Sequence, residues 1–458
     1  MKTRPGDTIY FLGVGGIGMS ALARFYNDSG CQIFGYDKTR TALTRKLEEE
    51  GMQIHYNEDV GLIPEKVDMV IVTPAVPRTH SEWVYFRKTD VPVFKRSEIL
   101  GMLSRSYRTL AIGGTHGKTT TSTMLSWLLK DGGVDCTSFL GGISSNFDAN
   151  YLHGESDWMV VEADEFDRSF LHLQPEITAV LSLDPDHLDI YQRPEELRET
   201  YLEFLARTEP SGTLIIPEDV LADLRPENVD LLRSKDRQVL TFGIGKGDVC
   251  ADNIEVKGGR FCFEYSFRHE KEKLELPLPG RHNVLNALVA IKIANQVGVP
   301  LDRIKKSLAL FKGIKRRFEL IFRSEECVYI DDYAHHPTEL DAAIEAAREL
   351  FPGRQITGIF QPHLFSRTRD FLDGFAGELE KLDRLILLDI YPARELPIPG
   401  VSSDLLFEKV RMDEKVLIRK EHVLDWIKDH KLDVLMTLGA GDIDTLVPQF
   451  KEYLENGK

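Results

Sequence analysis

The segment TLAIGGTHGKTTTSTMLSWLLKDGG, residues 109–133, decides the fold of the middle of the chain. Its first four residues predict a buried strand, and Gly113–Gly117 form a glycine-rich loop. A helix ended by Gly132 is predicted next, because apolar residues share one face at Met124, Leu125, Leu128 and Leu129. A strand, a glycine loop and a helix in this order are what a phosphate-binding P-loop requires.

This loop predicts an ATP site. Lys118 can reach the β- and γ-phosphates, and the Thr119 hydroxyl can hold Mg²⁺. The other loop residues expected at ATP are Gly114, Thr115, His116, Gly117 and Thr120. Ile112 stands where the GxxxxGK[ST] pattern has its first glycine, so a glycine-rich turn without ligand is the alternative.

A second glycine loop lies near the start of the chain, in GVGGIGMS. Gly13, Gly15, Gly16 and Gly18 satisfy GxGxxG after an apolar run, and Asp37 ends the next predicted strand. This is the dinucleotide-binding fingerprint with its ribose-binding acid. The loop could hold NAD or the pyrophosphate of another nucleotide, and a tight turn without ligand is the alternative. A chain with both loops is better suited to hold two different nucleotides than to act as a simple dehydrogenase.

Acidic residues follow two further predicted strands, in VEADE and in DPDHLD. Carboxylates at the same sheet edge as the P-loop would hold Mg²⁺ against ATP, and Glu162 is the first choice because it directly ends its strand. His187 is a less natural ligand, since magnesium prefers oxygen. Asp186 and Asp189 are equally well explained as acids at the start of a helix.

The last third of the chain has its own polar loops. DDYAHHPTE follows a predicted strand, and Pro337 or Thr338 starts a helix after it. The adjacent His335 and His336 are not expected to share a metal, because neighbouring strand residues point to opposite sides. We therefore predict a loop that faces a substrate. Arginines in the later SRTR and YPARE segments fit carboxylate or phosphate recognition.

Strands, loops and helices alternate throughout, which predicts an α/β protein with parallel sheets and three domains: 1–106, 107–311 and 312–458. The net charge of −16 argues against nucleic-acid binding. No apolar run is long enough for a membrane span, and the short apolar start predicts a first strand and not a signal peptide. Five scattered cysteines are typical of reduced thiols, so we expect a cytoplasmic protein.

The motifs together resemble the Mur ligase family. In order they are GVGGIGMS, GTHGKTT, VEADE, DPDHLD, LPGRHNVLNALVA, RRFE, DDYAHHPTE, QPH followed by SRTRD, and GAGD. The resemblance spans nearly the whole chain and is strongest to the branch that joins L-alanine to UDP-N-acetylmuramate. It implies a Rossmann-like UDP-binding domain, a central ATPase domain and a C-terminal Rossmann-like domain for the amino acid. It also implies that ATP phosphorylates the lactyl carboxylate and that the alanine amine attacks the acyl phosphate.

The resemblance also assigns residues. It implies catalytic roles for Lys118, Glu162 and His187, with two Mg²⁺ ions, or Mn²⁺ instead, held by Thr119, Glu162 and His187. The further residues implied at ATP are His282, Asn283, Arg317 and Asp332. Those implied at the UDP-sugar are Gly13, Gly15, Gly16, Gly18, Met19, Ser20, Asp37 and Thr73. Those implied at alanine are Tyr333, His335 and Arg367.

Two positions depart from the family pattern. Leu364 stands where an arginine often follows QPH, so a cationic contact to the amino acid is missing or is replaced, for example by Arg369. Ser182 stands where an asparagine is usual in the strand before DPDH. Neither change removes the predicted ATPase core.

Three other functions stay open at this point. A recycling ligase that attaches a tripeptide to the same sugar nucleotide would share most motifs. An NAD-dependent dehydrogenase would explain the first loop but leave the P-loop and both acidic motifs without a role. A regulatory nucleotide-binding module would not need those acids. The sequence leaves the oligomeric state open.

Overall fold

The computed structural model describes residues 3–184, 191, 193–393 and 395–456. The chain forms two compact units. The first comprises 1–251, 265–271 and 286–308, and the second comprises 252–264, 272–285 and 309–458. The domain boundaries predicted near residues 106 and 311 stay a prediction.

The described residues form three sheets, and the first is wholly parallel, in the order β3-β2-β1-β4-β5. Its strands are β1 (Thr8–Leu12), β2 (Gln32–Tyr36), β3 (Gln53–His55), β4 (Met69–Val72) and β5 (Val93–Lys95). Its helices are α1 (Ile17–Asp28), α2 (Ala42–Glu49), α3 (Ser81–Phe86) and α4 (Arg96–Ser104). Every residue of β1 and β4 is buried, as expected for a parallel sheet covered on both faces.

The second sheet has the order β15-β14-β13-β12-β11-β10-β6-β9-β7-β8. Its strands are β6 (Arg108–Gly113), β7 (Thr137–Ser144), β8 (Ala149–Leu152), β9 (Trp158–Glu162), β10 (Ile177–Val180), β11 (Thr213–Pro217), β12 (Gln238–Ile244), β13 (Val249–Lys257), β14 (Arg260–Phe267) and β15 (Glu270–Leu276). Its helices are α5 (Lys118–Asp131), α6 (Pro194–Ala206), α7 (Glu218–Ala222), α8 (Pro226–Arg233), α9 (Arg281–Val297) and α10 (Leu301–Leu308). Strand β6 runs parallel to both neighbours, β9 and β10, so the loops after these three strands meet at one edge.

The third sheet has the order β16-β17-β21-β18-β19-β20 and is parallel except for the β16–β17 pair. Its strands are β16 (Glu319–Arg323), β17 (Val328–Asp332), β18 (Ile356–Phe360), β19 (Arg384–Leu387), β20 (Lys415–Leu417) and β21 (Val434–Leu438). Its helices are α11 (Pro337–Leu350), α12 (Phe365–Asp370), α13 (Leu372–Leu379), α14 (Ser403–Lys409), α15 (Val423–Lys428) and α16 (Val447–Glu455). Apolar side chains cover both of its faces in two separate clusters.

Two predicted boundaries were wrong by a few residues. The apolar run AVLSL, residues 179–183, predicts a strand, but strand β10 ends at Val180. The chain beyond it turns toward the P-loop, where the Ser182 side chain bonds to loop residues. The sequence pattern over residues 301–311 predicts a helix, but α10 ends at Leu308. No helix in the described part of the chain combines the length and apolar character needed to cross a bilayer.

Candidate active site

The P-loop joins β6 to α5 and depends on a glycine at its tightest point. Gly114 has φ +126°, and a Cβ there would lie 2.8 Å from the Leu181 nitrogen. An L-residue would be strained in that conformation and would also collide with backbone that cannot move away. The loop therefore passes close against the chain that follows β10, and a glycine is needed at this point.

Lys118, the first residue of α5, forms an ion pair with a buried carboxylate. Its Nζ is 2.7 Å from Oε2 of Glu165, which has no exposed side-chain surface, and donates to the Gly114 carbonyl at 2.7 Å. Burial alone would lower the pKa of Lys118, but the carboxylates of Glu165 and Glu162 outweigh it, and the pKa is raised. Lys118 is therefore held as a cation beside the loop. The sequence contained Glu165 in VEADE, but the motif gave no sign that it pairs with Lys118.

Two tyrosines surround this pair, and the sequence predicted neither. The Tyr201 hydroxyl of α6 accepts a hydrogen bond from the Gly114 N–H at 3.1 Å, and it also hydrogen-bonds to Glu165. The Tyr191 hydroxyl donates to the Glu165 carbonyl at 2.6 Å. Burial, followed by the charge of Glu165, raises the pKa of Tyr201 well above its usual value. Two side chains distant in sequence thus hold Gly114 of the P-loop and Glu165, the partner of Lys118, in place.

Thr119 and Glu162, two of the residues predicted to hold a metal, lie together. The Thr119 hydroxyl donates to Oε2 of Glu162 at 2.9 Å, and the Gly141 N–H donates to the same oxygen at 3.0 Å. An all-oxygen pair fits Mg²⁺, which readily completes its shell with water and phosphate oxygens. In the described chain, no group of three or more acidic, histidine or cysteine side chains forms a metal cluster. His187, Asp186 and Asp189 lie outside the described residues.

Ser182, one of the two departures from the family pattern, bonds directly to the P-loop. Its Oγ lies 2.9 Å from Oγ1 of Thr115 and accepts the His116 N–H at 2.9 Å. The Thr115 hydroxyl in turn accepts the Asp184 N–H at 3.1 Å. The serine side chain at position 182 is therefore long enough to hydrogen-bond to the P-loop.

The start of α9 carries two residues predicted at ATP, His282 and Asn283. The Asn283 side chain donates to the Pro279 carbonyl at 2.6 Å, within the second unit. Asn286, one turn further along, belongs to the first unit, and its side chain lies so close to Gly117 that a Cβ there would collide with it. Asn286 was not predicted from the sequence, although its spacing from Asn283 puts both on one helix face.

The first glycine loop is held by its own acid. The Gly15 N–H donates to Oδ2 of Asp37 at 2.8 Å, and the Thr39 N–H donates to Oδ1 at 3.1 Å. Ser20 donates to the Ile17 carbonyl at 2.9 Å and lies 2.9 Å from the Asn150 amide nitrogen. Asp37 and Ser20 both shape the loop, and their contact with a UDP-sugar stays a prediction.

A cavity of about 310 Å³ in the first unit is lined by residues predicted at the UDP-sugar and by Glu162, predicted to hold the metal. On one side it is lined by Gly16, Gly18, Met19 and Thr73, all predicted at the UDP-sugar. On the other side it is lined by Gly141, Glu162 and Asp164, together with Arg96. A ligand that fills this cavity would touch both the first glycine loop and Glu162, the carboxylate that pairs with Thr119.

In the second unit, Asp332 ends β17 and shapes the DDYAHHPTE loop. Its carboxylate accepts the Phe318 N–H and the Ala334 N–H, both at 2.7 Å. Burial raises the pKa of Asp332 to about 7, while Arg317 acts in the opposite direction. The structure accounts for Asp332 as a loop anchor, and its predicted contact with ATP stays a prediction.

Tyr333, His335 and Arg317 form a compact group in the same loop. The His335 and Tyr333 rings lie 5.2 Å apart edge to face, and the Arg317 guanidinium lies 5.3 Å from the Tyr333 ring. The His335 backbone N–H donates to Glu339 at 3.0 Å. Burial lowers the pKa of His335 to about 4, with Glu339 opposing the shift and Arg367 adding to it. His335 is therefore neutral at physiological pH.

The two candidate arginines both lie on helix α12 but differ in exposure. Arg367 is buried and close enough to lower the pKa of His335. Arg369 keeps 54% of its side chain exposed and donates to its neighbour Asp370 at 2.7 Å. Leu364 precedes the helix with φ +69°, an unusual conformation for leucine. Of the two arginines, Arg367 is thus the one placed with Tyr333 and His335.

Family models match three consecutive stretches of this chain. They are the Mur ligase family catalytic domain at 8–108, the Mur ligase middle domain at 112–294, and the Mur ligase glutamate ligase domain at 316–443. The chain belongs to the Mur ligase family, as the motifs predicted, and it has that family's three-domain α/β fold.

Within this family, the chain is similar to several UDP-N-acetylmuramate–L-alanine ligases. A UDP-N-acetylmuramate–L-alanine ligase of Flavobacterium johnsoniae is 44% identical, with 98% of each chain covered. That of Porphyromonas gingivalis is 45% identical, with 98% of this chain and 99% of the relative covered. Among solved structures, the UDP-N-acetylmuramate-alanine ligase of Thermotoga maritima matches with a TM-score of 0.84 and 27% identity, covering 98% of this chain and 100% of that one.

Proposed function

We propose that this enzyme joins L-alanine to the lactyl carboxylate of UDP-N-acetylmuramate, with ATP, in peptidoglycan synthesis. The observation that carries the proposal is the cavity that runs from the first glycine loop to Glu162. A sugar nucleotide bound there would have its diphosphate at the loop and its sugar toward the P-loop side. The full-length relatives described above bear the name of this reaction. Because ATP is a co-substrate, we place the reaction in the cytoplasm.

The chemistry explains why two nucleotide loops are needed. A carboxylate is a poor electrophile, because its leaving group would be oxide. Transfer of the ATP γ-phosphoryl group to one carboxylate oxygen gives an acyl phosphate and ADP. The alanine amine then attacks the acyl carbon, and the tetrahedral intermediate expels phosphate to leave the amide. Phosphoryl transfer depends mainly on positioning and on neutralising charge.

The P-loop residues supply that charge neutralisation. Lys118 is held as a cation at the loop, so it can stabilise the transferred phosphoryl group without first gaining a proton. The Thr119 and Glu162 oxygens would hold Mg²⁺, and the ion would neutralise phosphate charge when bound. Backbone N–H groups at the start of α5 would bind the same anion. The role of His187 as a second metal ligand stays a proposal from the family resemblance.

The loop after β17 and the nearby Arg367 carry side chains that would bind L-alanine. Arg367 offers a guanidinium for the alanine carboxylate, and the Tyr333 and His335 rings are bulky enough to limit the side-chain space. A neutral imidazole does not repel the incoming ammonium group. We infer that this loop accepts a small amino acid better than a peptide.

A phosphate-release assay tests the proposal. We expect release from ATP only when UDP-N-acetylmuramate and L-alanine are both present. Equal release with a tripeptide in place of alanine would move the assignment to the recycling reaction. A larger rise in melting temperature with NAD than with UDP-N-acetylmuramate would contradict both.

A further inference from the structure

Arg96 is a cavity residue that neither the motifs nor the reaction scheme above has used. It is the first residue of α4, and its Nη2 donates to Oδ2 of Asp164 at 2.9 Å. Both side chains line the cavity described above, and 22% of the Arg96 side chain is exposed. The ion pair therefore stands inside the space that we assign to the sugar nucleotide.

The same guanidinium lies on the first turn of α1. A Cβ at Gly18 would be 2.9 Å from Nη1 of Arg96 and 3.1 Å from its Cδ. Gly18 thus leaves room for Arg96 beside the helix start, where backbone N–H groups and the helix dipole attract an anion. In this chain the third glycine of the fingerprint leaves space for the Arg96 side chain, which the motif alone does not indicate.

The charges around the cavity require a cation. Glu162 and Asp164 line it, and the ligand itself carries a diphosphate and a carboxylate. Arg96 is the one basic side chain among the described lining residues. A guanidinium binds phosphate and carboxylate oxygens through paired N–H groups, so it can exchange one anionic partner for another.

We propose that Arg96 binds an anionic group of the sugar nucleotide and leaves Asp164 when that substrate enters. The proposal rests on the proposed function and adds a substrate-binding residue to it. Asp164 is the counter-ion of Arg96 and competes with the substrate for the guanidinium. The shared chemistry is an oxyanion, supplied by either the diphosphate or the lactyl carboxylate.

Calorimetric binding of UDP-N-acetylmuramate to Arg96→Met tests this. We expect the dissociation constant to rise roughly ten- to a hundredfold, the usual size for losing a charge-assisted hydrogen bond, with Arg96→Lys intermediate. UDP measured in parallel identifies the group: weakening of both ligands indicates the diphosphate, and weakening of UDP-N-acetylmuramate alone indicates the carboxylate.

Lys95→Met is the matched control. Lys95 pairs with Asp167 at 2.7 Å, so it links the same two chain segments through an exposed ion pair. We expect its dissociation constant to stay within about twofold of wild type, since exposed pairs contribute little.

Asp164→Asn separates binding from a merely structural role. It breaks the same ion pair but leaves the guanidinium in place, so we expect binding as tight as wild type or tighter. If Asp164→Asn weakens binding as much as Arg96→Met, or if Arg96→Met binds like wild type, Arg96 is not a substrate ligand. If wild type itself does not bind UDP-N-acetylmuramate, the proposed function fails, and this inference fails with it.

Discussion

Two loops of this enzyme follow a parallel strand, precede or begin a helix and hold a mostly buried basic side chain, yet the pKa of that side chain is shifted in opposite directions. Lys118 follows β6, and its pKa is raised. His335 follows β17, and its pKa is lowered to about 4. One loop therefore presents a cation at neutral pH, and the other presents an uncharged imidazole.

The difference comes from the neighbours and not from burial, which both groups share. Lys118 touches a carboxylate that has no exposed surface, with Glu162 as a second negative charge nearby. His335 has Glu339 beside it, but burial and the positive charge of Arg367 outweigh that carboxylate. Phosphoryl transfer needs a fixed cation, whereas an amine substrate is better received by a neutral side chain.

Lys118→Ala should have the largest effect. Removing the cation should lower alanine-dependent phosphate release by about 10²–10³-fold, roughly 3–4 kcal/mol, because one preorganised electrostatic contact is lost. Binding of UDP-N-acetylmuramate, measured by thermal shift, should be unchanged. A variant that keeps more than about half of wild-type turnover would show that the P-loop assignment is wrong.

Glu165→Gln should have the next largest effect. Glu165 raises the pKa of Lys118, so its loss should let burial lower that pKa. We expect turnover to fall about tenfold and the alkaline limb of the kcat/KM profile for ATP to move to lower pH. The matched control is Glu203→Gln, which breaks the exposed Arg207–Glu203 pair on α6. An unchanged alkaline limb would mean that Glu165 does not keep Lys118 charged.

His335 should make the enzyme less stable in mild acid. Its folded pKa of about 4 lies below the ordinary 6.5, so the unfolded chain binds more protons between these values. This contribution is full above pH 6.5 and is lost as pH falls, by about 2 kcal/mol at pH 5. The melting temperature of wild type should therefore fall more steeply from pH 7 to pH 5 than that of His335→Asn. The exposed His430→Asn should keep the wild-type slope.

Arg369→Ala should have the smallest effect. Its exposed guanidinium pairs with Asp370, so we expect the KM for alanine to stay within about twofold of wild type. Arg367→Ala, measured in the same assay, should raise that KM by roughly tenfold or more. The opposite ranking would make Arg369 the residue that compensates for Leu364.

The family and the fold were predicted well because their signals are local. The strand–loop–helix units around Gly13–Gly18 and Gly113–Thr120 show their apolar periodicity and glycine spacing directly in the sequence. The structure forms both units where they were predicted, with α1 starting at Ile17 and α5 at Lys118. Errors were confined to element ends, such as the strand that stops at Val180.

Several side chains of the candidate site could not be predicted in this way. Tyr201 reaches the P-loop from α6, and Asn286 reaches it from α9. Arg96, at the start of α4, lines the cavity of the first unit. None of the three lies within the motif that it touches, so spacing along the chain carries no information about the contact.

The sequence by itself determined which loops can hold phosphate, because glycine content and helix starts follow from local backbone preferences. Only the tertiary structure decided the charge state of the basic side chains in those loops. Charge depends on which carboxylates and guanidinium groups lie within a few ångströms and on how much water is excluded, and both are set by chain segments far apart in sequence. For this reason the pKa of Lys118 is raised and the pKa of His335 is lowered.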